Sequence, residues 1–183
     1  MNNIRSSVIG IDKVIQDVQT DVYDFLSSLW SGDIEGFGRV YKNIDKNNNS
    51  IPEWYNVSKG DYEDTYYDDK KSCVFCFLVG DNDSTTDEFV FTSNVKCVFM
   101  VDLSKIYTGN VLRNDSEAQR DAVQALRESD FQNFSITQIQ RGVDSVFSGY
   151  FTDKIKDSQI DMNPLHCFSV NFDLQYYLTD KCS

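Results

Sequence analysis

Near the start of the chain Ile4, Val8, Ile11, Ile15, Val18, Val22, Phe25 and Leu29 step by alternating fours and threes. That spacing keeps them on one stripe of a helix. Asp12, Lys13, Gln16, Asp17, Thr20, Asp21 and Asp24 fill the other faces, and Gly32 ends the element. The same step is a coiled-coil repeat, but packing on the protein's own sheet is the expected use.

From Gly32 to Lys71 the periodicity breaks. Gly32, Gly36 and Gly38 come first, then Asn47-Asn48-Asn49-Ser50 and a turn at Ile51-Pro52. Trp54 to Tyr67 mixes aromatics with acids without a period, so residues 33–71 read as a long, partly ordered excursion. Its aromatics, Trp54, Tyr55, Tyr62, Tyr66 and Tyr67, argue against disorder.

Three strands are expected next. Cys73 to Val79 is a continuous apolar run, as in a strand covered on both faces. Asp81-Asn82-Asp83-Ser84 reads as a turn before a short strand at Phe89-Val90-Phe91. Val95, Cys97, Phe99, Val101 and Leu103 then alternate. Two capping boxes follow. Ser116 to Gln119 predicts a helix to about Glu128, with Ala118, Ala122, Ala125 and Leu126 on one face. Ser135 to Gln138 predicts a second, with Ile136, Ile139, Val143, Val146 and Phe147 on one face.

The last element is the clearest strand. Phe168, Val170, Phe172, Leu174, Tyr176 and Leu178 alternate with polar residues and Tyr177, which predicts one buried and one polar face. At ~3.3 Å per residue it spans close to ~40 Å, long enough to reach past its own domain. The order α, excursion, β, β, β, α, α, β predicts one α+β domain over 1–183, a mainly antiparallel sheet with helices on one face.

Composition narrows the function. With 40% hydrophobic and 14% aromatic residues, a chain of 183 residues can bury a real core. Its net charge of −12, with no basic run longer than Lys70-Lys71, argues against binding nucleic acid by neutralising phosphates, or an anionic membrane. Nine acids fall between Asp61 and Glu88 (Asp61, Glu63, Asp64, Asp68, Asp69, Asp81, Asp83, Asp87 and Glu88), opposed only by Lys70 and Lys71. Such a run is most simply a solvated face. No signal-peptide pattern or apolar span of ~20 residues is present. The five cysteines, Cys73, Cys76, Cys97, Cys167 and Cys182, are odd in number, and four sit in strand-like runs, which suits buried thiols.

Candidate chemistry fails on geometry. His166 beside Cys167 cannot share its proton if the segment is extended, because neighbours point to opposite faces. Cys73 and Cys76 have CxxC spacing, but i and i+3 in a strand also diverge, and no second pair supplies a zinc site. Asp45 to Ser50 begins like a calcium loop, but Ser50 stands where glycine is required and Asn56 where a bidentate Glu belongs, which favours a plain turn. The pairs Asp68-Asp69 and Asp81/Asp83 leave a metal-dependent hydrolase as the last-ranked reading. No enzyme, cofactor or metal is expected.

The element order resembles tail-terminator and neck proteins of tailed bacteriophages. The matching stretches are Ile4–Leu29, Cys73–Leu103, Ser116–Phe147 and Met162–Leu178, and the phrase Met162-Asn163-Pro164-Leu165-His166-Cys167-Phe168 leads into the final strand as in that family. The Asn-, Asp- and Tyr-rich style is similar to virion proteins of crAss-like phages. The 33–71 excursion departs from the pattern. The resemblance implies a virion subunit, assembled in the host cytoplasm, that forms a homo-oligomeric ring and lets DNA pass. Its partners would be portal, neck or tail proteins, with no sequence-specific nucleic-acid binding and no membrane. On that reading Trp54, Tyr55, Tyr62, Tyr66 and Tyr67 are expected at intersubunit contacts. Asp81, Asp83, Asp87 and Glu88 are expected to line the opening. The alternative is a small acidic intracellular module that docks a basic protein partner.

Overall fold

The computed structural model describes residues 1–86, 88–109, 114–129, 134–158 and 160–178. In chain order the elements are α1 (Ile11–Leu29), β1 (Ile34–Ile44), β2 (Ser50–Asn56), β3 (Asp61–Asp64), β4 (Cys73–Thr85), β5 (Val90–Asp102), α2 (Leu103–Ile106), α3 (Asp115–Glu128), β6 (Phe134–Arg141), α4 (Val143–Val146), α5 (Asp153–Lys156) and β7 (Leu165–Tyr177). The fold is α+β. One seven-stranded sheet runs β3-β2-β1-β4-β5-β7-β6, and every neighbouring pair is antiparallel except β1 with β4.

The centre of the sheet is buried on both faces. On one face α1 and α3 cover Phe75 and Phe77 of β4, Cys97 and Phe99 of β5, and Phe168, Val170 and Phe172 of β7. On the other, Val74, Cys76, Val98, Met100 and Cys167 pack under Phe37, Trp54, Tyr67, Val146, Phe147 and Ile155. The continuous apolar run of β4 follows directly, since alternate residues enter different cores. Gly36 on β1 permits the closest approach, because a Cβ there would lie 2.6 Å from the Phe75 ring.

Several sequence expectations are corrected. The first helix begins at Ile11, after Gly10 at positive φ, and not at Ile4. Residues before it are held in extended pairing: Asn2 bridges Gly36, and the Gln16 side chain both donates to the Arg5 carbonyl and accepts from its N–H. The apolar stripe also shifts, with Leu26 buried and Leu29 exposed.

The 33–71 excursion is built on three strands of the sheet joined by turns. The first half of β1 pairs with β4, its last residues pair with β2, and β2 pairs with β3. Asp81 to Ser84 is strand and not turn, so the expected second and third strands are one element, β5, in a long hairpin with β4. The helix expected from Ser135 is strand β6, because Phe134 to Arg141 pairs with β7. A bulge at Thr137 explains the misreading. It inserts one residue between Ile136 and Ile139, whose partners Phe172 and Val170 belong to the same core. A bulged strand therefore shows the i, i+3 spacing of a helix. Gln119 likewise does not close a capping box: α3 starts at Asp115, and Gln119 reaches His166 and Arg141. Finally, β7 pairs along its whole length with β5 and stays inside its own sheet.

Candidate functional site

The residues with potential for chemistry are dispersed by the fold. Cys73 and Cys97 enter the helix-covered core, whereas Cys76 and Cys167 enter the opposite one. Burial pushes all four thiols up, which keeps them protonated and unreactive. Cys182 lies outside the described residues. His166 turns away from Cys167: its ring stacks on Phe168 with 5.2 Å between centroids, and Nε2 lies 3.0 Å from the Gln119 amide nitrogen. Asp115 stands 4.0 Å from Nδ1, and Arg141 donates to the Gln119 carbonyl oxygen at 2.6 Å. This cluster ties α3 to β6 and β7.

Asp45 organises the β1–β2 turn. Its carboxylate accepts backbone N–H groups of Asn47 and Asn49, each at 2.8 Å, while Asn48 takes φ +64°. These bonds, that from Asn49 first, hold the carboxyl below the usual range. Asp68 accepts from the backbone N–H of Lys70 in a second turn, on the strand-to-strand connection before β4. Asp81 pairs with Lys42 at 3.3 Å, and Asp83 accepts from the Tyr176 hydroxyl at 2.7 Å, so the two acidic pairs do not converge. Among the described residues, no group of three or more His, Cys, Asp or Glu is gathered as metal ligands. Nor, among them, is any helix long and apolar enough to cross a membrane.

The five aromatics of the 33–71 region divide. Trp54 is 1% exposed and stacks on Phe37 at 3.9 Å, and Tyr67 is also buried in its own chain. Neither has surface to offer a neighbour, so both are corrected from interface anchors to core residues. Tyr66 is half-buried against Trp54. Tyr62 is exposed and Tyr55 half-buried, in edge contact at 5.2 Å, with Tyr62 in similar contact with Tyr41. The Arg5 guanidinium lies 5.1 Å from the Tyr55 ring centre and donates to the Tyr41 hydroxyl at 2.7 Å. Burial, with Asp12 accepting from its hydroxyl, pushes Tyr41 up to about 12.

The acids expected at a ring opening lie on the distal β4–β5 hairpin. The last six residues of β4, Gly80 to Thr85, are all exposed although the ladder continues to Thr85. Asp81 and Asp83 sit along this arm, and Glu88 is at its tip with φ +66°. Asp87 lies outside the described residues. The tip also presents Phe89, 72% exposed, and beside it Tyr177, which pairs with Val90, and Leu178 are exposed at the end of β7. Sequence reasoning placed Leu178 on the buried face of the final strand, Tyr177 on its polar face and Phe89 at the start of a short strand. Leu178 is therefore corrected to an exposed position, whereas Tyr177 is exposed as its polar-face register predicts.

No protein-family model matches the chain, and no curated protein matches its sequence.

Proposed function

We propose that the chain is a structural subunit of a virion that forms a ring in the neck or at the tail end of a tailed phage and lets DNA pass. The observation that carries this reading is the distal β4–β5 arm. It is a hydrogen-bonded ladder with an exposed outer strand, capped by a highly exposed phenylalanine. A chain gains little from such an arm alone, whereas a neighbouring copy or virion protein could cover it. Tyr55 and Tyr62 offer a second surface of the type that anchors interfaces. Within the ring, exposed acids on the arm would face the passing duplex. A negative wall releases no counterions and so does not hold DNA. Over a screening length of ~8 Å at physiological salt its repulsion acts only near the wall.

The test is light scattering and electron microscopy of the purified protein, alone and with the products of adjacent genes. Rings, or joining to a portal, neck or tail protein, support the reading. A monomer under all these conditions, or tight binding to duplex DNA at moderate salt, removes it.

A second reading is favoured by Phe89, Tyr177 and Leu178 being exposed on an arm that carries Asp81, Asp83 and Glu88. An apolar patch with an acidic rim suits a basic protein partner. Pull-down with and without added salt distinguishes this from ring formation.

A further inference from the structure

The root of the arm contains a pocket of about 140 Å³, well beyond the ~10–15 Å³ that admits one water. It exists because the β4–β5 ladder slips. Val79 faces Val95 and Asp83 faces Ser93, so Gly80, Asp81 and Asn82 oppose Asn94 alone. Gly80 allows the bulge to press close, since a Cβ there would meet the Asn94 carbonyl oxygen at 3.3 Å. Lys42 from β1, Lys96 from β5, and Ser148 and Tyr150 after α4 complete the polar wall.

The two lysines differ. Lys42 has a carboxylate, Asp81, at 3.3 Å, and its ammonium lies 5.9 Å from the Tyr150 ring centre. Lys96 is partly buried and donates to the Val146 carbonyl at 3.2 Å. Among the described residues, every other lysine is either exposed or ion-paired, while Lys96 has no carboxylate within ion-pair distance. In a chain of net charge −12, a half-desolvated ammonium without a counter-charge is costly and calls for a reason.

We propose that this pocket is a carboxylate-binding site centred on the Lys96 ammonium. The charge count selects the class. Lys42 is already balanced by Asp81, so one positive charge remains, which a monoanion satisfies. A phosphate dianion would bring a second charge against Asp81. Ser148 and Tyr150 line the same pocket, and hydroxyls of this kind are neutral donors suited to the second oxygen. Burial holds the Lys96 ammonium below the ordinary lysine range, and a bound carboxylate would reverse that direction. The carboxylate can come from a small organic acid or from an acidic side chain of a second copy. The site does not depend on the ring reading.

The experiment is an NMR titration of the lysine side-chain resonances with sodium acetate, with chloride and phosphate at matched ionic strength as controls. A saturable acetate shift at Lys96, absent with chloride, supports the site. Lys96→Met should weaken acetate by at least about tenfold, the scale of one charged hydrogen bond. Lys96→Arg keeps the charge and should retain measurable binding, which guards against a folding defect in the methionine variant. Sedimentation in the presence and absence of acetate identifies the source. If a second copy supplies the carboxylate, acetate and Lys96→Met both dissociate the assembly; if a small acid does, sedimentation is unchanged. Phosphate binding more tightly than acetate, or no saturable shift at Lys96 together with acetate-insensitive sedimentation, overturns the proposal.

Discussion

Between Cys73 and Leu78, every residue of β4 is buried, alternating between two cores. Between Gly80 and Thr85 the same strand, still paired to β5, is exposed at every residue. The backbone pattern is common to both halves, so hydrogen bonding does not separate them. What separates them is the layer above and below. The proximal half lies under α1 on one side and under Trp54, Phe147 and Ile155 on the other, whereas Gly80 to Thr85 belong to neither core. A β-ladder is a marginal structure without apolar cover. The arm therefore stands because β5 and β7 continue it: Phe91 packs on Tyr176, and Tyr176 ties back to Asp83.

The contrast makes the packed body the place where substitution should do most damage. Val18 is fully buried on the α1 face over the proximal strands. Val18→Asp should cost several kcal/mol by burying an unpaired charge, enough to unfold most single domains. Circular dichroism melting checks it, and an unchanged midpoint would mean that α1 does not cover the sheet. Next in size is Phe75→Ala, which removes a ring stacked on Phe99 and should cost about 3–5 kcal/mol. Trp54→Ala should cost a similar amount, since Trp54 fills the opposite core. Were either loss below ~1 kcal/mol, the two-core picture would fail on that face.

These two cores were unequally visible in the chain. The α1 stripe, the α3 alanines and the β7 alternation each follow one period, and each was legible as an element. The second core was not, because its parts are non-periodic: Trp54 and Tyr67 come from short strands and a connection, and Ile155 from a four-residue helix. Burial there is decided by contacts distant in sequence, such as Phe37 on Trp54, which no local pattern encodes. β6 was misread for a different reason, since its bulge imitates a helical step. The arm was half legible. Its acids were plain, but Asp81 to Ser84 satisfied turn preferences while the β4–β5 ladder held them extended. The Lys96 pocket had no sequence signature at all, because a bulge on one strand and the chain after α4 build it jointly.

Smaller effects belong to the distal part of the arm, where Phe91 faces Thr85 on one side and Tyr176 on the other. Tyr176 is pushed up to about 12, by burial first and then by donating to Asp83. An unfolded tyrosine ionises near ~10. Between these values the unfolded chain has lost a proton that the folded chain retains, so the stabilisation is complete below ~10 and is lost as pH rises through about 12. Tyr41 shares the direction and the value, so wild-type stability should fall over that window with contributions from body and arm. Tyr176→Phe separates them: it should cost about 0.5–1.5 kcal/mol at neutral pH and flatten the alkaline fall without abolishing it. Hydrogen exchange near Asp83 should rise in this variant while that at Cys97 stays unchanged. Equal changes at both positions would show that arm and body open as one unit.

The smallest expected effect on stability is also the sharpest test of what the arm is for. Phe89 is 72% exposed, so little of its surface is buried on folding. Phe89→Ser should therefore move the folding free energy by no more than about 0.5 kcal/mol, in contrast to Phe75→Ala in the same hairpin. If the arm is an assembly element, that near-silent substitution should weaken association severely, because exposed aromatics become anchors only when a partner buries them. The pair of measurements is decisive in combination. Unchanged melting with lost association assigns Phe89 to an interface. Substantial destabilisation would instead place the ring in contact with its own chain, and unchanged association would leave the tip as a solvated hairpin end.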